Sequence, residues 1–153
     1  MLQTTPESVN EKQPLTNSDA TLCLTMDGRI DNRLELRRML ESRGFPPRYD
    51  TDAELVLRAY ECWGEDCPNR FLGDFAFAVW DARKRQLFSA RDFVGVRPFY
   101  YHRSASLFAF GSEIRSVLAL ETVPRRLNES RVADFLVEEL DREDEESTFY
   151  HRR

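Results

Sequence analysis

Short apolar runs separated by charged turns fill the middle of the chain, and their period switches between that of a strand and that of a helix. Residues 75–80 (FAFAVW) are apolar at every position, the pattern of a central strand buried on both faces. A polar turn at 81–86 (DARKRQ) interrupts the run and 87–90 resumes it, which predicts an antiparallel hairpin. Upstream, 20–26 (ATLCLTM) carries apolar residues on both faces, as a strand covered on both sides would, and Asp27-Gly28 supplies a turn after it. Within 32–43, Leu34, Leu36, Met39 and Leu40 recur at near-helical spacing, and Gly44 followed by Pro46-Pro47 gives a stop. A second helix is predicted over 52–63, capped by Thr51 or Asp52. Its apolar stripe of Leu55, Val56, Ala59, Tyr60 and Trp63 ends at Gly64 and is suited to facing a sheet.

A short helical piece follows at 65–70, and two further strands are suggested at 98–101 and 107–110. The helix expected over 112–118 carries Glu113 in its first turn, near the positive end of the dipole. Asn128 can cap a last helix running to Leu140, with Val132, Phe135, Leu136 and Val137 inward. The acidic run 138–146 reads as a solvated helix end and loop, with a binding tail as the alternative. Residues 1–19 are polar, contain Pro6 and Pro14, and read as a lead-in loop or frayed end. Helices on both faces of mostly antiparallel strands make a layered α+β arrangement.

A chain of 153 residues suits one compact domain, and 41% apolar with 32% charged residues is the mixture of a folded, soluble protein. The net charge of −5 gives no reason to approach phosphate backbones or anionic lipid. The pairs and triplets at Arg37-Arg38, Arg83-Lys84-Arg85 and Arg125-Arg126 are short and separated, so neither nucleic acid nor a membrane is an expected partner. Cys23, Cys62 and Cys67 make an odd count, and the last two lie five apart, wider than the spacing common in zinc sites, so no metal is expected. Cys23, inside an apolar run, reads as a small buried hydrophobe. No apolar stretch approaches the roughly 20 residues that span a bilayer, and the first residues lack a signal-peptide layout, so a cytoplasmic protein is expected.

Seven blocks occur in a telling order: QPL at 13–15, DGRIDN at 27–32, TDAELVLRAY at 51–60, WGEDC at 63–67, LGDFAFAVWD at 72–81, ARDFVGVRPFYY at 90–101 and FGSEI at 110–114. Together they resemble the glutaminase domain of class II glutamine amidotransferases of the asparagine synthetase type, a branch of the N-terminal nucleophile hydrolases. The resemblance implies a layered αββα sandwich, with 20–153 a partial amidotransferase domain. It implies glutamine hydrolysis that releases ammonia for the ATP-dependent amidation of aspartate by a synthetase half. No Ser-Gly-Gly-x-Asp-Ser segment of that half occurs here, so ATP and magnesium belong to the synthetase domain and no cofactor is expected on this chain. The tail STFYHRR resembles the segment that leaves the domain, and family members are often homodimers.

In such enzymes a cysteine at residue one attacks the glutamine amide with its own α-amine as base. Position 2 is Leu2, so the chain is expected to begin several tens of residues inside the domain, without a catalytic residue, and to hydrolyse no glutamine by itself. The family motif Asn-Gly-Glu-Ile-Tyr-Asn matches Asp27 to Asn32, which places Asp27 and Gly28 at the oxyanion hole and Arg29 at the glutamine pocket. Asp27 departs from the motif, since a carboxylate repels a developing oxyanion, and Arg29 reverses the charge of the usual Glu. Asp52 matches the acid that pairs with the α-ammonium of glutamine. Each has a plainer reading: Asp27-Gly28 as a turn, Asp52 as an N-cap, and Arg91-Asp92, Arg97-Pro98 and Glu113 as parts of a loop or ion pairs. A degenerate, non-catalytic interaction module therefore stands beside the enzyme reading, as does the glutaminase-like domain of a β-lactam or lasso-peptide cyclase. An incomplete sandwich is expected to leave strand edges and apolar faces uncovered, and so to be marginally stable or to self-associate.

Overall fold

The structure, a computed structural model, describes residues 11–136 together with Thr148 and Tyr150. The acidic run 138–146, Val137, residues 1–10 of the lead-in and the rest of the tail lie outside the described residues. Instead of one compact unit there are two, divided between Pro98 and Phe99.

The first unit is built on a four-stranded antiparallel sheet of β1 (Leu15–Thr16), β2 (Leu22–Gly28), β3 (Phe75–Asp81) and β4 (Gln86–Arg91), in that spatial order. Two helices, α1 (Arg33–Ser42) and α2 (Asp52–Trp63), and a 3-10 segment (Gly64–Arg70) connect β2 to β3. Because side chains alternate along a strand, one sheet face presents Leu22, Leu24 and Met26 beside Phe75, Phe77 and Val79. These close on Leu36 and Leu40 of α1 and on Leu55, Val56, Leu57, Ala59 and Tyr60 of α2 in one buried cluster. The T-shaped Phe71–Phe75 pair, with centroids 5.4 Å apart, adds aromatic packing at its end.

The β2 strand is buried on one face only: Cys23 and Thr25 are half-buried, so Cys23 is not a core residue. Asp27 and Gly28 do not form a turn but continue the strand, opposite Ala76 and Phe75. The lead-in is not a frayed end throughout, because Leu15–Thr16 pairs with Cys23 and Leu24 and side-chain amides hold its flanks. Asn17 Oδ1 accepts from the Leu22 N–H (2.9 Å), and Gln13 Oε1 accepts from the Met26 N–H (2.7 Å), so polar residues do there what a longer strand would do. In α1, Leu34 faces solvent while Leu36 and Leu40 are buried. The second helix starts and stops where its pattern places it: Thr51 Oγ1 accepts from the Glu54 N–H (3.3 Å), and Gly64, with φ +60, ends it.

The second unit contains the hairpin β5 (Tyr100–Arg103) and β6 (Phe108–Gly111), followed by α3 (Ile114–Leu118) and α4 (Glu129–Leu136). Among the described residues its buried cluster is Ala109, Val117 and Val123, with Tyr100, Leu107 and Leu118 packed against them. Phe99 stacks on Phe110 and Tyr101 on Phe108 across the hairpin. Asn128 caps α4 through an Oδ1 that accepts from the Arg131 N–H (3.3 Å), as its position suggests. Phe135 and Leu136 are exposed rather than inward, because that small cluster draws on β6, α3 and the segment after α3 and takes no described residue of α4.

Candidate functional site

The connection from β2 into α1 is fixed by two glycines. Gly28 (φ +140) and Gly73 (φ +141) occupy backbone conformations that L side chains rarely adopt, and each makes room for a carbonyl of the opposite segment. A Cβ on Gly28 would lie 2.1 Å from the Asp74 oxygen, and one on Gly73 would lie 2.3 Å from the Arg29 oxygen. Hydrogen bonds from Arg29 N–H to the Asp74 carbonyl (2.8 Å) and from Asp31 N–H to the Leu72 carbonyl (2.6 Å) extend the ladder beyond β2. Asn32 closes the junction, its Oδ1 accepting from the Leu72 N–H (3.0 Å) and its Nδ2 donating to the Arg70 carbonyl (3.0 Å).

This pairing decides where the Gly28 N–H points. N–H groups alternate sides along a strand, and those of Cys23 and the other odd residues share the ladder that Arg29 continues toward β3. The even residues therefore donate toward β1: the Leu22 N–H reaches Asn17 and the Met26 N–H reaches Gln13. Gly28 is the next even residue, and among the described residues the last partner on this edge is Gln13. Its N–H is thus a fixed donor at the end of the strand, the geometry an oxyanion or carbonyl oxygen requires.

Asp52 stands at the other end of the same polar chain. Gln13, held by Met26, donates through Nε2 to Glu11 Oε1, and Glu11 Oε2 accepts from the Ala53 N–H (3.3 Å) at the first turn of α2. Asp52 itself is buried, and its Oδ1 accepts from Arg33 Nη1 (2.8 Å), a residue of the first turn of α1. Arg33 also donates through Nη2 to the Asp50 carbonyl and side chain, and Arg37 shares Asp50. These guanidinium bonds, from Arg33 first, hold the Asp50 carboxyl below its usual range. Met26, two residues before Gly28, and Ala53, next to Asp52, are thus both bonded to the short segment 11–13. The side chains of Asp27 and Arg29 turn to other partners. Arg29 pairs with Asp31 (3.0 Å) and more loosely with Asp74 (3.8 Å), while Asp27 Oδ1 lies 3.7 Å from Arg97 Nη1.

The sequence matches the glutamine amidotransferase domain family over residues 5–152. The chain belongs to that family. Among similar proteins, asparagine synthetase [glutamine-hydrolyzing] 3 of Bacillus subtilis (strain 168) is 38% identical over 125 residues, covering 80% of this chain and 20% of the relative. Asparagine synthetase [glutamine-hydrolyzing] 1 of the same organism is 34% identical over 112 residues, covering 73% of this chain and 18% of the relative. This amidotransferase domain thus spans about a fifth of the length of those curated relatives. A solved structure, glutamine phosphoribosylpyrophosphate (PRPP) amidotransferase from B. subtilis complexed with ADP and GMP, superposes with a TM-score of 0.58 at 20% identity. It covers 70% of this chain and 26% of that one. The shared fold is the α+β fold of the N-terminal nucleophile hydrolases.

Within the amidotransferase domain, none of the three thiols is expected to be the nucleophile, and their surroundings agree. Cys67 is buried and burial pushes its thiol up to about 12, Cys62 is raised by burial as well, and Cys23 lies half-buried within β2. A nucleophilic thiol needs the opposite environment. The Asp92 block behaves as the loop organiser expected of it: its carboxylate accepts from the Val96 (2.9 Å) and Arg97 (3.1 Å) N–H groups. Burial works against that charge, but backbone N–H groups of Arg97, Val96 and Gly95 hold Asp92 below its ordinary value. Glu113 pairs with Arg115 in an exposed ion pair.

Sequence reasoning missed Glu54, whose side chain is fully buried in α2. It accepts from the Arg48 N–H (2.9 Å), Arg48 Nε (3.0 Å) and Nη2 (3.1 Å), and Arg58 Nε (2.9 Å). Arg48 Nη2 also donates to the Thr16 carbonyl (2.8 Å), so the network ties β1 to the start of α2 and to Asp52 beside it. The available signal was the spacing Thr51-x-x-Glu54 of a capping box, of which only the threonine half forms. No described helix is long and apolar enough to cross a membrane.

Proposed function

We propose that this chain forms the glutamine-binding part of a glutamine-hydrolysing, asparagine synthetase-like protein. Gly28 N–H, with Asp27 beside it, receives the side-chain carbonyl oxygen of glutamine, Asp52 receives the α-ammonium, and Arg29 borders the pocket. In the longer protein the ammonia released would pass to an ATP- and magnesium-dependent half that amidates aspartate. A cytoplasmic location and a homodimer fit that role. What supports the reading is the family match together with the Gly28 N–H, which strand alternation directs to the β1 side of β2, past the Met26–Gln13 bond.

The chemistry asked of these residues is differential. A backbone N–H held in place gains most from an oxygen that takes on negative charge, and it needs no reorganisation when that charge develops. Asp52, which accepts from Arg33 through Oδ1, can also accept from an ammonium in a charge-assisted hydrogen bond. The attacking thiol of this chemistry is not among Cys23, Cys62 and Cys67, for the reasons of burial and position given above. The 153-residue polypeptide is therefore expected to bind L-glutamine without releasing ammonia. In a calorimetric titration, Asp52→Asn should weaken binding about tenfold. A wild-type chain with no saturable response to L-glutamine would overturn the assignment. A non-catalytic interaction module is the second reading, favoured by the internal partners that Asp27 and Asp52 already have in Arg97 and Arg33.

A further inference from the structure

Asp27 poses a physical problem at this site, because an uncompensated carboxylate beside the Gly28 N–H would repel the oxygen that this N–H receives. Resting on the glutamine reading above, we propose that Arg97 is a positioning residue that acts through Asp27. Its guanidinium cancels the carboxylate charge so that an uncharged carboxamide oxygen is accepted at Gly28.

The geometry supplies the parts. Asp27, Ala76 and Arg91 form one row across β2, β3 and β4, so their side chains rise from the same sheet face. The middle member carries only a methyl group, which leaves room above the row for a side chain arriving from elsewhere, and Ala76 is nonetheless 4% exposed. Arg91 stands two strands from Asp27, and its guanidinium packs against Gly95. Arg97 comes instead from the loop after β4, and that loop is tightly specified. The Asp92 N–H donates to the Phe75 carbonyl (2.7 Å), the Gly95 N–H donates to the Asp92 carbonyl (3.0 Å), and the Asp92 carboxylate holds the Arg97 N–H. Pro98 further restricts Arg97 to extended backbone. Phe75, which anchors the loop, is also the partner of Gly28. The loop and the donor are therefore referenced to the same residue of β3.

The pair is not one of fold stability alone. At 3.7 Å it is an ion pair without a hydrogen bond, and Arg97 Nε is buried with no partner among the described residues. An arginine serving only the fold would be expected to satisfy that donor. The side chains are 33% exposed for Asp27 and 20% for Arg97, so the charges meet where water is partly excluded and compensation is effective.

The test compares two ligands and three variants of the full 153-residue chain. L-glutamine carries the carboxamide, whereas L-norvaline has the same amino-acid head and a side chain of similar length without it. Arg97→Met is expected to weaken glutamine about tenfold and leave norvaline unchanged. The double variant Asp27→Asn/Arg97→Met should bring glutamine back to within about twofold of wild type, because it removes the charge that needed cancelling. Asp27→Asn alone should bind glutamine more tightly than wild type, and it decides the matter if Arg97→Met does not give a folded circular dichroism spectrum. Equal weakening of both ligands by Arg97→Met, or no rescue in the double variant, overturns the role of Arg97 while leaving the glutamine reading in place. So does weaker glutamine binding by Asp27→Asn. Wild-type protein that takes up norvaline and glutamine equally, or neither, rejects the glutamine reading and this inference with it.

Discussion

At the scale of single residues, the groups that matter most are charged side chains inside the fold, and they behave differently from their surface counterparts. Burial alone would push the Glu54 carboxyl up, yet hydrogen bonds from Arg48, from its side chain and backbone, and from Arg58 bring it below the ordinary value of 4.5. A depressed folded value means that the unfolded chain takes up the proton first. The stability contributed by Glu54 is therefore fully present above about pH 4.5 and is lost as pH falls through the lower folded value. Glu54→Gln should destabilise the fold by about 3 kcal/mol at neutral pH, since it leaves Arg48 without its carboxylate partner and Arg58 with Glu61 alone. It should also flatten the acid limb of a melting-temperature profile between neutrality and about pH 3, and an unchanged limb would contradict the assignment. The start of α2 was legible from TDAELVLRAY because Thr51 caps it locally. The role of Glu54 was not, because its partners Arg48 and Arg58 become partners only when the chain folds around them. Asp27 was legible as a departure from a motif, whereas its compensation by Arg97, far along the chain, requires the sheet.

At the scale of elements, the glycines separate two kinds of constraint. Gly44 ends α1 at φ +83, and a Cβ there would meet nothing within 4 Å, so Gly44→Ala should cost about 1 kcal/mol, the backbone penalty alone. Gly28→Ala meets the Asp74 carbonyl as well as an unfavourable φ, and it should cost about 4 kcal/mol or prevent folding. Chemical denaturation of the two variants checks the contrast, and equal midpoints would show that the strand junction can relax. The ends of α2 were readable because Thr51 and Gly64 act locally. The end of β2 was not: Asp27-Gly28 has the composition of a turn, and only the crossing of Gly73 from a distant segment keeps it in the ladder. Likewise Leu15–Thr16 is too short to announce itself, and its strand depends on pairing with Cys23 and Leu24.

At the scale of the whole molecule, the two units have unequal means of support. The first joins four strands to two helices through a continuous buried cluster, while the second rests on a two-stranded hairpin and, among the described residues, a buried cluster of Ala109, Val117 and Val123. A lone hairpin is marginal in water, so amide hydrogens of His102 and Ala109 should exchange at least about 100-fold faster than those of Phe77 and Val79. Hydrogen exchange followed by mass spectrometry resolves the two regions, and uniform protection would indicate a single cooperative body. This division is not legible in the residues, because the strands after Pro98 are as aromatic as those before it; what differs is how many elements share them. The glycine crossing has a last consequence, for sorting candidate relatives. Where two bare backbones interlock there is no slack to absorb an inserted residue, so the length of the 28–32 connection, more than its composition, is the trait that a true counterpart must preserve.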